Sequence, residues 1–285
     1  MTEAESLIPP GLDATLVLLR HGETTFIVEG RFQGRLPAPL SDLGVRQAEL
    51  AARRLAEPGA PPALPVPAGP PLAVLHSPLV RTTQVATAVA AALRDASGGG
   101  LGPSLRAEPA LTEIGQGAWE GLGHAEIRER YGDELAAWRR DPAAHHAPGG
   151  ESLAEVQGRL RAGLRPVLAE LAGAGRPGSL DRSQVLGYVD PRRAVSAADA
   201  PPWLILVGHD GCFKVLLLTL LDLPLERFWS FPFALCGISV VDIRGGRAAL
   251  RAHNLVDHLA ALDAASPPER RAQPETEARE RSGAL

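Results

Sequence analysis

The residues Leu16-Val17-Leu18-Leu19 form an unbroken apolar run that stops at Arg20-His21-Gly22-Glu23. No polar alternation interrupts the run, so a strand built from it is buried on both faces. It predicts a buried strand that ends in a charged, tightly turned tip. Trp203-Leu204-Ile205-Leu206-Val207 repeats the pattern and stops at Gly208-His209-Asp210-Gly211. Residues 72–75 predict a third buried strand, followed by His76-Ser77-Pro78.

Helical patterns alternate with these strands. Ser41 can cap a helix running to about Ala56, because its hydroxyl accepts from an early backbone N–H. Ser77-Pro78 opens a second helix, on which Ala86, Val89, Ala90 and Leu93 share one face, and residues 97–102 break it. Shorter helices are expected near 124–131 and 133–139, and longer ones at 152–171 and 213–221. Residues 238–243 and 248–253 read as a hairpin around Gly245-Gly246. Residues 58–71, rich in proline, glycine and alanine, read as a linker. The expected fold class is therefore α/β: a three-layer α/β/α sandwich with a mostly parallel central sheet. Residues 1–14 are expected to be a loose lead-in and 15–263 the domain, with an insertion at 173–202. That insertion reads as a surface segment, or alternatively as a lid. Residues 264–285, charged and poor in large apolar groups, read as a flexible tail.

With 45% hydrophobic residues in 285, the chain can bury a sizeable core. A net charge of −4 supplies no general attraction to nucleic acid or to an anionic membrane, so neither is an expected partner. Phosphate binding would have to come from a local cluster. Lys214 is the only lysine, a bias that reads as genomic base composition. Cys212 and Cys236 sit in apolar surroundings and read as buried thiols; neither lies in a CxxC pair. The acidic start Met1-Thr2-Glu3-Ala4-Glu5 lacks the basic-then-apolar order of a signal peptide. No run approaches the ~18–20 apolar residues of a membrane span. Cytoplasm is the expected location, and no feature sets the oligomeric state.

The strand tip carries a definite chemistry. An arginine grips a phosphate with paired hydrogen bonds, and a neighbouring histidine can attack it or shuttle a proton. Glycine lets the backbone approach a ligand closely. Four further segments accompany Arg20-His21-Gly22. They are His76-Ser77-Pro78 with Arg81-Thr82-Thr83, Leu111-Thr112-Glu113 with Trp119-Glu120-Gly121, Pro148-Gly149-Gly150-Glu151-Ser152, and Gly208-His209-Asp210-Gly211. In this order they resemble the histidine phosphatase superfamily, also called phosphoglycerate mutase-like, over about residues 15–259.

The resemblance implies that His21 is the nucleophile and forms a phosphohistidine. It implies that Glu113 is the proton donor and later the base, with Glu120 a structural competitor for that place. Arg20, Arg81 and His209 match the phosphate pocket. Gln33 and Gly34 are weaker substrate-binding candidates. Ile27 stands where the mutase branch has a phosphate-contacting asparagine, and Gln116 and His124 stand where it has a tyrosine and a lysine. Fewer cationic contacts favour hydrolysis over mutation of a retained bisphosphate. Asp210 stands where small phosphatases often have glycine, and either orients His209 or repels anions. His145-His146 lies in a Pro-Ala-rich loop and reads as solvated. The implied function is a metal-independent phosphomonoesterase, without a cofactor, acting on a small phosphorylated metabolite. The alternatives are a cofactor-dependent phosphoglycerate mutase and a non-catalytic phospholigand-binding protein.

Overall fold

The computed structural model describes residues 6–100, 102–174 and 200–265. The first apolar run becomes β1 (Ala14–Arg20). It is followed by α1 (Thr25–Glu29), α2 (Asp42–Ala56), β2 (Ala73–His76), α3 (Val80–Ala96) and β3 (Ser104–Ala107). Next come α4 (His124–Arg130), α5 (Gly132–Arg140), α6 (Leu153–Ala174), β4 (Trp203–Gly208) and α7 (Asp210–Leu220). The chain closes with β5 (Ile238–Arg244), β6 (Arg247–Leu255) and α8 (Ala260–Ala265).

The six strands form one sheet in the order β3-β2-β4-β1-β5-β6. The first four run parallel, and β5 and β6 are antiparallel additions at one side. β1 and β4 are buried at every position, which is why their sequences show no alternation. Successive side chains nonetheless point to opposite faces. Leu16, Leu18, Leu204 and Leu206 join one core with residues of α6 and α7, whereas Val17, Leu19, Ile205 and Val207 join a second core with α2 and α3. The result is the three-layer α/β sandwich the sequence implies.

The hairpin turns at Gly245 and Gly246, whose φ values of 56° and 81° are positive at both central positions, as a two-residue turn matched to strand twist requires. Ser41 caps α2, its Oγ accepting from Gly44 N–H at 3.0 Å.

Several local expectations need correction. Residues 6–12 are not loose: Leu7, Ile8 and Leu12 are buried in the core that holds α6 and α7. The helix after β2 begins at Val80 rather than Ser77. β3 was not anticipated, because all four of its residues are exposed and the alternation in Ser-Leu-Arg-Ala is only four residues long. Leu64, inside the proline-rich linker, is buried against the α2/α3 core. The segments 175–199 and 266–285, which hold nearly all of the expected insertion and tail, lie outside the described residues.

Parallel register decides where chemistry can occur. Arg20 pairs with Gly208 across β1 and β4, and His76 pairs with Val207 across β2 and β4. The carboxyl ends of these three strands therefore align, so His21, Ser77 and His209 leave the sheet side by side. Ligand sites in parallel α/β sheets lie at that edge.

Candidate active site

His21 is 2% exposed, and its backbone is fixed on both sides. Its N–H donates to Gly208 O at 3.0 Å, and its carbonyl accepts from Cys236 N–H at 3.2 Å. Nδ1 lies 2.7 Å from Gly22 O. A carbonyl can only accept, so Nδ1 carries the proton and Nε2 keeps its lone pair. Burial, then the charges of Arg81 and Arg20, hold the imidazole well below its ordinary pKa of 6.5. The ring is thus neutral, with an assigned tautomer and a free Nε2 lone pair.

The tip itself is pressed onto α2. A Cβ added to Gly22 would lie 2.7 Å from Gly44 O, and one on Gly44 would overlap the Glu23 carbonyl. Ser41 completes the junction by donating its hydroxyl to Glu23 Oε1 at 2.7 Å.

Arg81, in the first turn of α3, is fully buried. Its Nη2 donates to Gly34 O at 2.7 Å, its Nη1 to Leu36 O at 3.2 Å, and its Nε to His209 Nδ1 at 3.3 Å. His209 accepts there, so its proton sits on Nε2, which donates to Ser77 Oγ at 2.8 Å. Burial and the Arg81 charge hold His209 well below 6.5 as well. The His21 and His209 rings meet edge to face, with centroids 5.2 Å apart. Burial pulls the Arg81 guanidinium down to about 10, so it stays charged at neutral pH. Arg20, at the end of β1, donates through Nη1 to Phe233 O.

Glu113 is 7% exposed and faces the start of α7. Its Oε1 accepts from Ile114 and Cys212 N–H, both at 2.9 Å, and its Oε2 accepts from Gly211 N–H at 3.4 Å. Desolvation outweighs these donors and holds the carboxyl above its usual value, with Asp210 acting in the same direction. Glu120, the rival carboxylate, is used structurally. Its Oε1 accepts from Arg35 N–H at 3.1 Å and Gln116 N–H at 2.9 Å.

Gln33 is 6% exposed, and its Oε1 accepts from Thr24 Oγ at 2.7 Å. That contact leaves the Nε2 amide as the donor available to a ligand. Gly34, with φ of 46°, supplies the carbonyl that holds Arg81. Ile27 is buried beneath this loop, and its N–H bonds to Thr24 Oγ at 3.2 Å rather than presenting a side chain to the pocket.

All seven sequence candidates therefore belong to one connected region at the sheet edge. Four participants were missed as partners: Ser77, Lys214, Arg35 and Arg159. Lys214 had a usable signal, because a lone lysine inside the apolar stretch of α7 needs a buried counter-charge, and Asp210 stands four residues before it. The two meet at 2.6 Å. Asp210 Oδ1 also accepts from Phe233 N–H at 3.1 Å, and the Phe233 carbonyl accepts from Arg20. Asp210 thus bonds towards Arg20 through the 231–236 loop rather than to His209. His145 and His146 are exposed, as expected of a solvated loop.

A neutral imidazole, two buried arginines, a second neutral histidine and a buried carboxyl group at a parallel sheet edge define a phosphoryl-transfer site. The model of the histidine phosphatase superfamily (branch 1) matches residues 16–175 and 192–256, and the chain belongs to that family. Glucosyl-3-phosphoglycerate phosphatase of Mycobacterium tuberculosis is 34% identical over 214 residues, 75% of this chain and 78% of its own length. Phosphoserine phosphatase 1 of Hydrogenobacter thermophilus is 26% identical over 245 residues, 86% of this chain and 93% of its own. The solved mycobacterial glucosyl-3-phosphoglycerate phosphatase in complex with VO3 superposes with a TM-score of 0.63 at 28% identity, covering 85% of this chain and 99% of that one. By family this chain is a phosphatase, a phosphoric monoester hydrolase. Among the described residues no helix is long and apolar enough to cross a membrane, and no group of three or more His, Cys, Asp or Glu is arranged to hold a metal ion.

Proposed function

We propose that this protein hydrolyses a small phosphorylated metabolite through a phosphohistidine on His21. The observation that carries the reading is the His21 imidazole, held neutral with its Nδ1–H donated to Gly22 O and set among Arg20, Arg81 and a buried Glu113 carboxyl. Nε2 attacks phosphorus in line, and the ester P–O bond breaks. Glu113, whose pKa burial raises, gives its proton to the departing oxygen. The resulting carboxylate takes a proton from water as that water attacks the phosphohistidine, and the P–N electron pair returns to His21. Glu113 is thereby reprotonated and inorganic phosphate leaves.

Arg20 and Arg81 stabilise the transferring oxygens, joined by His209 when its Nε2–H turns from Ser77 to the phosphate, with Gln33 and the Gly34 loop beside them. Fixed guanidiniums supply the positive charge this step requires, so turnover needs no added metal. Relatives named for glucosyl-3-phosphoglycerate and phosphoserine support a small metabolite as substrate.

Hydrolysis of p-nitrophenyl phosphate in EDTA tests the reading. Wild type should turn over, and His21→Ala should lose on the order of 10^4-fold or more, as removal of a nucleophile does. Near-normal activity of that variant rejects the nucleophile, and activity lost to EDTA but restored by a divalent ion rejects metal independence. A coupled phosphoglycerate mutase assay with added bisphosphoglycerate should show no isomerisation. Gln116, at the position of the mutase tyrosine, is buried with its N–H held by Glu120.

A further inference from the structure

Besides Gly208 and α2, the Arg20-His21 tip rests on one irregular stretch, residues 233–237. Arg20 N–H donates to Gly237 O at 3.3 Å, and His21 O accepts from Cys236 N–H at 3.2 Å. The Arg20 guanidinium donates to Phe233 O. The places of the nucleophile and of one phosphate-gripping head therefore depend on three peptide groups of this stretch. It is not a relaxed stretch. Cys236 has a φ of 52°, which a cysteine adopts only when its surroundings impose it.

Those surroundings lie at the end of β6. Asn254 Oδ1 accepts from Ala234 N–H at 2.6 Å. His258 Nε2 lies 3.1 Å from Cys236 O and donates to it, because a carbonyl only accepts. Between the two grips, Ala234 O accepts from Gly237 N–H at 2.9 Å and closes the stretch into a turn. Asn254 is itself in a left-handed conformation, with φ of 56°. It lies where the ladder slips: from the pair Ile238–Leu255 to the pair Val240–Ala252, β5 advances two residues and β6 three. A bulge of this kind re-aims a side chain, and asparagine tolerates the left-handed region better than most residues. Ser239 Oγ fixes the bulge by accepting the Asn254 N–H at 2.9 Å. Gly237 passes so close that a Cβ on it would lie 2.4 Å from Asn254 Oδ1.

We propose that Asn254, assisted by His258, is a positioning residue for phosphoryl transfer. It clasps residues 234–236 so that Arg20 and His21 meet the phosphorus in line. Asn254 touches no reacting atom and acts through the loop alone. The inference goes beyond the hydrolytic reading by giving the last strand of the sheet a part in it, and it rests on His21 as the nucleophile.

Three variants separate the hydrogen bond from the backbone. Asn254→Gly keeps the left-handed conformation without steric cost and removes the acceptor. Asn254→Asp keeps both, and His258→Ala removes the second grip. With p-nitrophenyl phosphate, Asn254→Gly should lose roughly tenfold to hundredfold in kcat, the effect of displacing a reacting group by about 1 Å. Orthovanadate adopts the five-coordinate geometry of the transferring phosphoryl group, so its inhibition constant should rise by a similar factor, and that of inorganic phosphate by less. An inhibition constant does not depend on how much of the enzyme is folded, so a loss of stability alone leaves both constants unchanged. Asn254→Asp should recover most of the kcat and of the vanadate affinity, and His258→Ala should show the same pattern at a smaller fold-change. If Asn254→Gly does not fold, His258→Ala decides on the same readouts. Wild-type kcat in Asn254→Gly, or a lowered kcat with unchanged vanadate inhibition, overturns the clasp. Near-normal turnover in His21→Ala rejects the nucleophile, and is read without any Asn254 variant.

Discussion

Charge outside the phosphate pocket also bears on the titration of the candidate acid. Glu113 is raised chiefly by burial, and Asp210 adds to the effect. Asp210 is itself held low, with Lys214 and Arg20 overcoming its own burial. Lys214, opposite in charge to Asp210, should act on Glu113 with the opposite sign. Asp210→Asn removes a negative charge and exposes Glu113 to Lys214, so the Glu113 pKa should fall. Lys214→Met leaves Asp210 uncompensated, so it should rise. With a protonated Glu113 needed for P–O cleavage, the alkaline limb of kcat/KM should move to lower pH in the first variant and to higher pH in the second. Each single variant should also lose about 3–5 kcal/mol of stability by stranding a buried charge, a loss the double variant should largely recover. Limbs that move in the same direction, or not at all, would show that the pair serves only the fold.

At the scale of elements, the strand tips were legible and their supports were not. The apolar runs ending at Arg20-His21 and at Gly208-His209 located two strand ends, because a strand buried on both faces announces itself in composition. The alignment of those ends needed register, which no local pattern contains. α1 and β3 were missed because a five-residue helix and a four-residue exposed strand carry too little periodicity. Arg35 and Arg159 were missed because their shared partner, Glu151, lies far from Arg35 in sequence. Gly44 illustrates a constraint invisible to propensity. Glycine inside α2 looks like a weakness that alanine should cure, yet the first turn of that helix presses on the Glu23 carbonyl behind the nucleophile. Gly158 in α6 has open space around it. Gly158→Ala should therefore stabilise by about 0.5–1 kcal/mol with unchanged kcat. Gly44→Ala should destabilise by about 1–3 kcal/mol through overpacking. It should also shift His21, and a displacement near 1 Å can cost about 10^2-fold in turnover. Thermal melts and kcat/KM on the two variants decide the matter, and equal behaviour of both would remove α2 from the support of the site.

For the whole molecule, the site makes the fold sensitive to acid. His21 and His209 are buried neutral, with folded pKa values well below the 6.5 of an unfolded chain. Above pH 6.5 both states carry neutral imidazoles and stability is flat with respect to them. Below it the unfolded chain takes up protons that the folded chain refuses. Each imidazole then removes up to about 1.4 kcal/mol per pH unit, until its own folded pKa is reached. Glu113 works the other way. Its folded pKa lies above 4.5, so between that value and 4.5 the folded state binds the extra proton and gains stability as pH falls. Asp210, held below 3.8, contributes stability that is lost only at still lower pH. The melting temperature should therefore begin to fall as pH drops through about 6.5, well before carboxylates titrate. His253 and His258, which are half-covered and also held below 6.5, add to the slope. Replacing His209 by Gln keeps a neutral hydrogen-bonding side chain that cannot ionise. Its stability against pH should therefore fall less steeply between 6.5 and 5 by up to one proton, read from denaturant midpoints across that range. An unchanged slope would mean that His209 takes up its proton in the folded protein as readily as in the unfolded chain.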